Sequence, residues 1–430
     1  MSIPAEELLR RVTRCAGIDA IYGDPAGSLP VVPVPVAVAE TYALAHERVH
    51  GARAAIHLGQ GVFRFPGTPG ILPVSVEVES GDDLMAVVPH LAAGGEVVLR
   101  VSLDPGRPVD DLVPDIGVPR EGWIDPAPEV VDALRDAGTV SVLAGPGVVR
   151  EAAVPGLHDL AARASLGVLN TWGAKGVFHW RSRHHLATVG LQADDFVLGG
   201  LSDVDLIIAT GLDQWESPAD RWQLAPSFIV SPGALAPLAE RCAAAEAEIV
   251  VPPLRHRLAG VTQRGWEVEH SPLPPTRVTL HYGECVSAGT LVAADAGTAG
   301  FWVARTLGTT RLGGVIVPST SIPGFAAACV AVLRLRHPDR TGLAIVDASG
   351  GEQTEAVVEA ARRLGIMVPV ETWDPDGERL DADAHRARLG RMVNAGGPGS
   401  AGVHSLATDQ SQLAEMVQAA GPVVAWPQPE

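Results

Sequence analysis

Short runs of Val, Ile, Leu and Ala alternate with Ala-, Leu- and Arg-rich stretches along most of the chain. The runs at 53–57, 74–78, 96–101, 139–143, 206–209, 228–230, 248–251, 291–294, 314–317, 343–346 and 367–370 have strand length. Segments such as 129–137, 154–164, 234–245, 326–336 and 353–364 have helical composition and length. Many of the strand candidates are apolar throughout, which predicts sheets covered on both faces. Strand and helix alternate with Gly and Pro at the turns, which predicts an α/β chain of doubly wound parallel sheets. Two stretches interrupt the pattern, 107–128 (rich in Pro, Gly and Asp) and 264–276 (with SPLPPT). Read as linkers, they predict three domains over 1–106, 124–262 and 275–430. The stretch 374–405 reads as loops plus one helix.

Composition narrows the function classes. Of 430 residues, 47% are hydrophobic and 19% charged, enough apolar side chains for packed cores. A net charge of −18 argues against nucleic acid or an anionic membrane as partner, since both need clustered cations. No apolar run approaches the ~18 residues of a membrane span. The opening MSIPAEELLRRVTRC reads as an amphipathic helix and not a signal peptide, so a cytoplasmic location is expected. Cys15, Cys242, Cys285 and Cys329 lack CxxC or CxH spacing and read as free thiols. Lys175 is the only lysine.

The middle segment carries the most specific pattern. A strand ends in Ala144-Gly145-Pro146-Gly147, a later one in the turn Asn170–Gly176 (NTWGAKG), and a third, DLIIATG, at Gly211. Glycines at strand ends suit sharp turns and close backbone approach. This order resembles the six-stranded central domain of thiamine-diphosphate-dependent enzymes of the acetolactate synthase and benzoylformate decarboxylase type. The flanks are similar to the same family. CAGIDAIYGDPAGSLP and VAETYALAHERVHGARAAIHLGQG resemble its pyrimidine-binding domain, with Gly59-Gln60-Gly61 at a Gly-rich turn. LVAADAGTAGFWVARTL and VPSTSIPGFAAACVAVLRLRHPDRTGLAIVD resemble its diphosphate-binding domain.

The resemblance implies thiamine diphosphate held with Mg²⁺ between the pyrimidine domain of one subunit and the diphosphate domain of another. It implies pyrimidine-side contacts at the position of the family glutamate, at Glu40 and at Gln60 with Gly59 and Gly61. Diphosphate contacts would come from Asp295, Gly297, Thr298, Ser321, Ile322, Gly324, Ser349 and Gly350. FAD or ADP, which some relatives hold in the central domain, would lie around Gly145–Gly147 and Gly211.

Three departures stand against this pattern. Val36 occupies the position of the glutamate that hydrogen-bonds the aminopyrimidine; Glu40 lies one helical turn on and reads as a solvated helix carboxylate. Asp347-Ala348-Ser349-Gly350-Gly351 stands where the metal motif GDG is expected, with Ala348 at the metal-ligand Asp. Asp347 with Asp374 or Asp376 is the remaining oxygen-ligand set for a hard cation. The first domain is shorter than usual between HLGQG and ILPVSV, where Phe63, Arg64 and Phe65 read as caps on a shortened sheet. His46-Glu47-Arg48-Val49-His50 matches HExxH by letter, but no third ligand follows at a recognised spacing.

Two functions follow. The first is a thiamine-diphosphate-dependent decarboxylase or carboligase, a lyase or transferase acting on a 2-oxo acid or related small carbonyl, working as a homodimer or tetramer or with a related subunit. The second is a degenerate homologue or partner subunit that has lost thiamine diphosphate and Mg²⁺, or has turned the fold to a nucleotide.

Overall fold

The structure, a computed structural model, describes all residues except 1, 16, 26–29, 68–72, 93–94, 103–107, 111–124, 243–247, 395–401 and 427–430. The linker expected at 107–128 falls mostly outside the described residues.

The first domain comprises β1 (Ser2–Pro4), α1 (Ala5–Cys15), β2 (Ile18–Gly23), β3 (Val31–Pro33), α2 (Val36–His50), β4 (Arg53–His57), β5 (Val62–Phe65), β6 (Val74–Val78), α3 (Gly81–Ala92), β7 (Val97–Val101) and β8 (Pro108–Asp110). Six of its strands form a sheet in the order β3-β2-β4-β5-β7-β6. Phe63, Arg64 and Phe65, expected as caps, instead form β5 inside the sheet, antiparallel to both β4 and β7. The cause is chain length. Only residues 58–61 join β4 to β5, and a parallel return needs a crossover of a dozen residues or more. Gly59, Gln60 and Gly61 all adopt positive φ in this turn, at 92°, 49° and 74°.

The central domain comprises α4 (Pro128–Asp136), β9 (Val140–Ala144), α5 (Gly147–Arg150), α6 (Val154–Arg163), β10 (Gly167–Thr171), β11 (His185–Val189), α7 (Asp195–Leu198), β12 (Leu206–Thr210), α8 (Ala219–Trp222), β13 (Ser227–Val230) and α9 (Leu235–Arg241). Its sheet is all parallel, in the order β11-β10-β9-β12-β13. Among the described residues it has five strands where six were expected. The apolar run 248–251 forms no strand: Val250 is 77% exposed and Val251 41%. Pro252 and Pro253 follow at once and start a helix, and Pro lacks the N–H a ladder needs.

That helix, α10 (Pro253–Trp266), runs into the stretch expected as a linker and leads to α11 (Pro275–Ser287). The third domain continues with β14 (Leu291–Ala294), α12 (Thr298–Thr306), β15 (Val315–Ile316), α13 (Phe325–Arg336), β16 (Gly342–Asp347), α14 (Gly351–Arg363), β17 (Pro369–Trp373), α15 (Ala382–Val393), β18 (Gly402–Leu406) and α16 (Gln412–Ala420). This sheet is also parallel, in the order β15-β14-β16-β17-β18. The strand β18 lies where only loops and a helix were expected. The two all-parallel sheets and the first domain's sheet, parallel except at β5, give the mixed α/β fold expected from the sequence.

The first and third domains share a core. Helices α2 and α13 carry small buried residues, among them Ala39, Ala43, Ala327 and Ala331, and belong to one apolar cluster with β14 and β16. Small side chains let two helices approach closely. Arg48 on α2 then ties all three domains, donating to Gly173 O at 3.2 Å and Val317 O at 3.3 Å. Cys242, Cys285 and Cys329 are buried free thiols. Among the described residues no helix is long and apolar enough to cross a membrane.

Candidate functional site

Parallel strands present their carboxyl ends to one edge, the usual ligand side of such a sheet. In the third domain two carboxylates stand there on neighbouring strands. Asp295 follows β14 and accepts from Gly324 N at 2.8 Å and Ala326 N at 2.6 Å, at the start of α13. Asp347 closes β16 and accepts from Ala299 N at 3.1 and 3.3 Å, in the first turn of α12. A helix N-terminus attracts anions because its first N–H groups lack intrahelical partners. Both termini are therefore filled by the chain's own carboxylates.

The backbone is shaped for this filling. Gly297 has φ of 121°, and a Cβ there would stand 2.3 Å from Asp347 Oδ2. A Cβ at Gly350 would lie 3.7 Å from Asp295 Oδ2, so the turn after β16 folds back over the first carboxylate. Burial pushes Asp295 up to about 7 against the pull of its two N–H donors, with the Asp347 charge adding to the rise. Burial likewise pushes Asp347 up to about 6.

The raised Asp295 has a consequence for stability. Its folded-state value, about 7, lies above the ordinary 3.8, so between them the folded chain holds a proton the unfolded chain has lost. Unfolding free energy should therefore fall as pH rises from about 4 to about 7, by at most ~4 kcal/mol, and be flat from this source above. Denaturant unfolding at pH 5 and pH 8 should show that fall in the wild type and a smaller one in Asp295→Asn. Equal slopes in the two proteins would assign it elsewhere.

Asp295, Gly297, Thr298, Gly324, Asp347 and Gly350 come together at this edge. Ile322 accepts from Phe325 N at 3.2 Å and shapes the entry to α13; Ser321 and Ser349 are exposed beside it. Val36 opens α2 and is 38% exposed. The first turn of α2 meets the first turn of α14, where Gln353 Nε2 donates to Ala37 O at 3.4 Å, so Val36 borders this edge. Glu40 faces the first sheet instead, paired with Arg64 Nη1 at 3.1 Å. Gly59, Gln60 and Gly61 form the β4–β5 turn. Asp374 Oδ1 accepts from Asp376 N at 2.9 Å in a local turn. Among the described residues no group of three or more His, Cys, Asp or Glu side chains converges to hold a metal.

The other motifs resolve into packing. His46 is buried, with Nδ1 2.8 Å from Tyr22 Oη and Nε2 2.5 Å from Asp19 Oδ1, while His50 Nε2 bonds Val332 O at 3.3 Å. The two histidines of the HExxH match thus serve different partners. In the central domain Gly145 N donates to Thr210 O and Gly147 N to Gly211 O, at 2.9 and 2.8 Å. A Cβ at Gly145 would sit 2.3 Å from Gly211 O. These glycines permit two strand ends to touch, and their amides are engaged there.

Sequence reasoning missed a clasp between the domains. Glu216 is fully buried and accepts from Gly173 N at 2.9 Å and from Ser319 Oγ at 2.5 Å. Burial pushes its carboxyl up. Arg305 on α12 grips Asp195 on α7 with contacts of 2.8 and 2.6 Å, both side chains fully buried. Neither pair belongs to a local motif, so no spacing in the sequence marks them.

Residues 128–229 match the family described as thiamine pyrophosphate enzyme, central domain. No curated protein matches the sequence. The fold is similar to the X-ray structure of a protein from Mycobacterium smegmatis provisionally described as a thiamin diphosphate-dependent enzyme. The TM-score is 0.69 at 14% identity, over 95% of this chain and 100% of that one. Residues 128–229 are therefore similar to the central domain of thiamine pyrophosphate enzymes, and the chain shares its fold with the Mycobacterium smegmatis protein along nearly its whole length.

Proposed function

We propose that this chain keeps the thiamine-diphosphate enzyme scaffold without the cofactor site, and works as a non-catalytic partner subunit. The observation that carries this is Asp347 seated on the N-terminus of α12, over Gly297. The family implies thiamine diphosphate, whose diphosphate would need N–H donors at this sheet edge. Here those donors face a carboxylate, and a second carboxylate, Asp295, lies beside it. Two acids with no converging cation site disfavour a diphosphate by charge and by occupancy alike. The pyrimidine side does not fit either, because Val36 has no proton to share.

A partner role rests on the first domain's exposed edge. Val36 at 38% and Leu58 at 40% exposure leave apolar surface at the carboxyl ends of its strands. In the family plan that edge faces another subunit, so a second copy or a related chain is the proposed partner. Titration calorimetry of the purified protein with thiamine diphosphate and Mg²⁺ should show no binding at millimolar ligand. Micromolar binding, or turnover of pyruvate or another 2-oxo acid, would instead support a decarboxylase or carboligase.

A further inference from the structure

The amino end of the central sheet is hollow. A cavity of about 400 Å³ lies there, where the first residues of β9 and β10 meet the end of α4 and the segment 248–253. Small residues leave the space: Ala137, Gly138, Ala164, Gly167, Gly199 and Gly200 all border it. Gly167 stands beside Ser141 in the ladder of β9 and β10, and a Cβ on it would meet Leu186 at 2.6 Å. The run 248–251 has strand composition but pairs with no strand. Its residues Glu248, Ile249 and Val250 border the cavity instead, and Val250, 77% exposed, stands at the mouth. Sheets of this kind usually take ligands at the carboxyl edge. The cavity lies at the opposite edge, and Gly145, Gly147 and Gly211 do not reach it.

The walls are mainly apolar, with side chains from Val131, Leu134, Val140, Leu166, Leu186 and Val204. The charged residues of the lining, Arg135, Asp203, Arg241 and Glu248, are all exposed, so their charges stay in water at the rim. Both arginines also have partners, Asp132 at 2.8 Å and Asp125 at 2.7 Å. The interior is therefore uncharged and gives an ion nothing in exchange for its hydration. Among the hydroxyls of the lining, Thr139 bonds Asp205 Oδ2 at 3.0 Å and Ser165 has a partner as well. Ser141 is different. It is 6% exposed, and its hydroxyl makes no hydrogen bond with any described residue. Strand alternation puts it on the same face of β9 as Leu143, in a layer with Leu169, Ile207 and Ala209. A hydroxyl on so apolar a face, bordering the cavity, has its hydrogen bond left to whatever fills that space.

We propose that this cavity binds a neutral, mostly apolar small molecule carrying one hydroxyl or carbonyl group, and that Ser141 meets that group. The volume suits it. An apolar cavity of roughly 150 Å³ already holds benzene, and ligand pockets begin at roughly 300 Å³. The space here therefore takes a medium-length chain or a small ring system. Burial of the apolar body against the valine and leucine walls supplies the affinity. The Ser141 hydrogen bond sets the orientation. The site stands apart from the carboxyl edge of the third domain, so it neither needs nor excludes a cofactor there.

1-Octanol is the probe, with octanoate, ionised at neutral pH, as its charged counterpart. Saturation-transfer NMR of the wild-type protein should show saturable binding of 1-octanol at millimolar concentration or below. Octanoate should bind at least about tenfold more weakly. Ser141→Ala removes only the hydroxyl and should weaken 1-octanol binding about fivefold. Ser141→Leu fills the space and should abolish it. The proposal is overturned by absence of saturable binding in the wild type, by equal binding of octanoate, or by undiminished binding in either variant. If the variants fail to fold, the wild type still decides. Cys242 borders the cavity, whereas the buried Cys285 and Cys329 do not. 1-Octanol should therefore slow alkylation of Cys242 by N-ethylmaleimide, mapped by mass, and leave the other two unchanged. A Cys242 rate unaffected by 1-octanol would equally overturn the assignment.

Discussion

Replacing Arg305 with methionine should lower the unfolding free energy by about 3–5 kcal/mol, the cost of leaving a buried charge without its partner. Arg305 and Asp195 are both fully buried, and the guanidinium contacts both carboxylate oxygens. Without Arg305, Asp195 would keep one N–H donor, from Gln192 at 3.0 Å, inside a medium that solvates charge poorly. Arg305 sits on α12 of the third domain and Asp195 at the head of α7 in the central domain, so the loss should register as weaker docking of the two. Guanidinium unfolding followed by tryptophan fluorescence measures it. The double variant Arg305→Met with Asp195→Leu should recover much of the loss, since a buried pair replaced by apolar groups of similar volume is often neutral. A single-variant loss below about 1 kcal/mol would put the pair with ordinary surface bridges.

How far the sequence could anticipate such a pair depends on the range of the interaction. The central strands were legible because a parallel strand covered on both faces is apolar along its length, as Leu206–Ala209 is. The helix of Val36–His50 with its end at Gly51 was legible only through the resemblance of VAETYALAHERVHG to the pyrimidine-binding domain; in the structure Gly51 closes it in the αL conformation. The strand Val62–Phe65 was not legible, because its four residues alternate too briefly and its place was decided by the short turn before it. The run at 248–251 had strand composition, yet tertiary context and the following prolines left it unpaired.

At the candidate site the residues could be named but their partners could not. Asp347 was visible as a carboxylate at a strand end. Its seat on Ala299 N lies 48 positions away, and only the fold brings the two together. Asp295 was read as a cofactor contact, and in the structure it caps α13. Lys175 was visible as a solitary lysine in a Gly-rich turn.

Asp347→Ala should open the seat on α12 and create anion binding that the wild type lacks. The change frees Ala299 N and removes the carboxylate that stands over Gly297, whose lack of Cβ would then leave a hollow instead of a filled cradle. Inorganic pyrophosphate is the suitable probe, because it tests the diphosphate seat without the pyrimidine side, where Val36 still stands. Calorimetry should give at least a tenfold tightening over wild type, about 1.4 kcal/mol. Asp347→Asn separates the two causes. Its amide oxygen can keep the bond from Ala299 N while carrying no charge, so it should bind pyrophosphate less well than the alanine variant if occupancy dominates, and equally well if charge alone excludes the anion. If Asp347→Ala binds pyrophosphate no better than wild type, the filled helix terminus is not what bars a diphosphate, and the proposal of a cofactor-free subunit loses its central support.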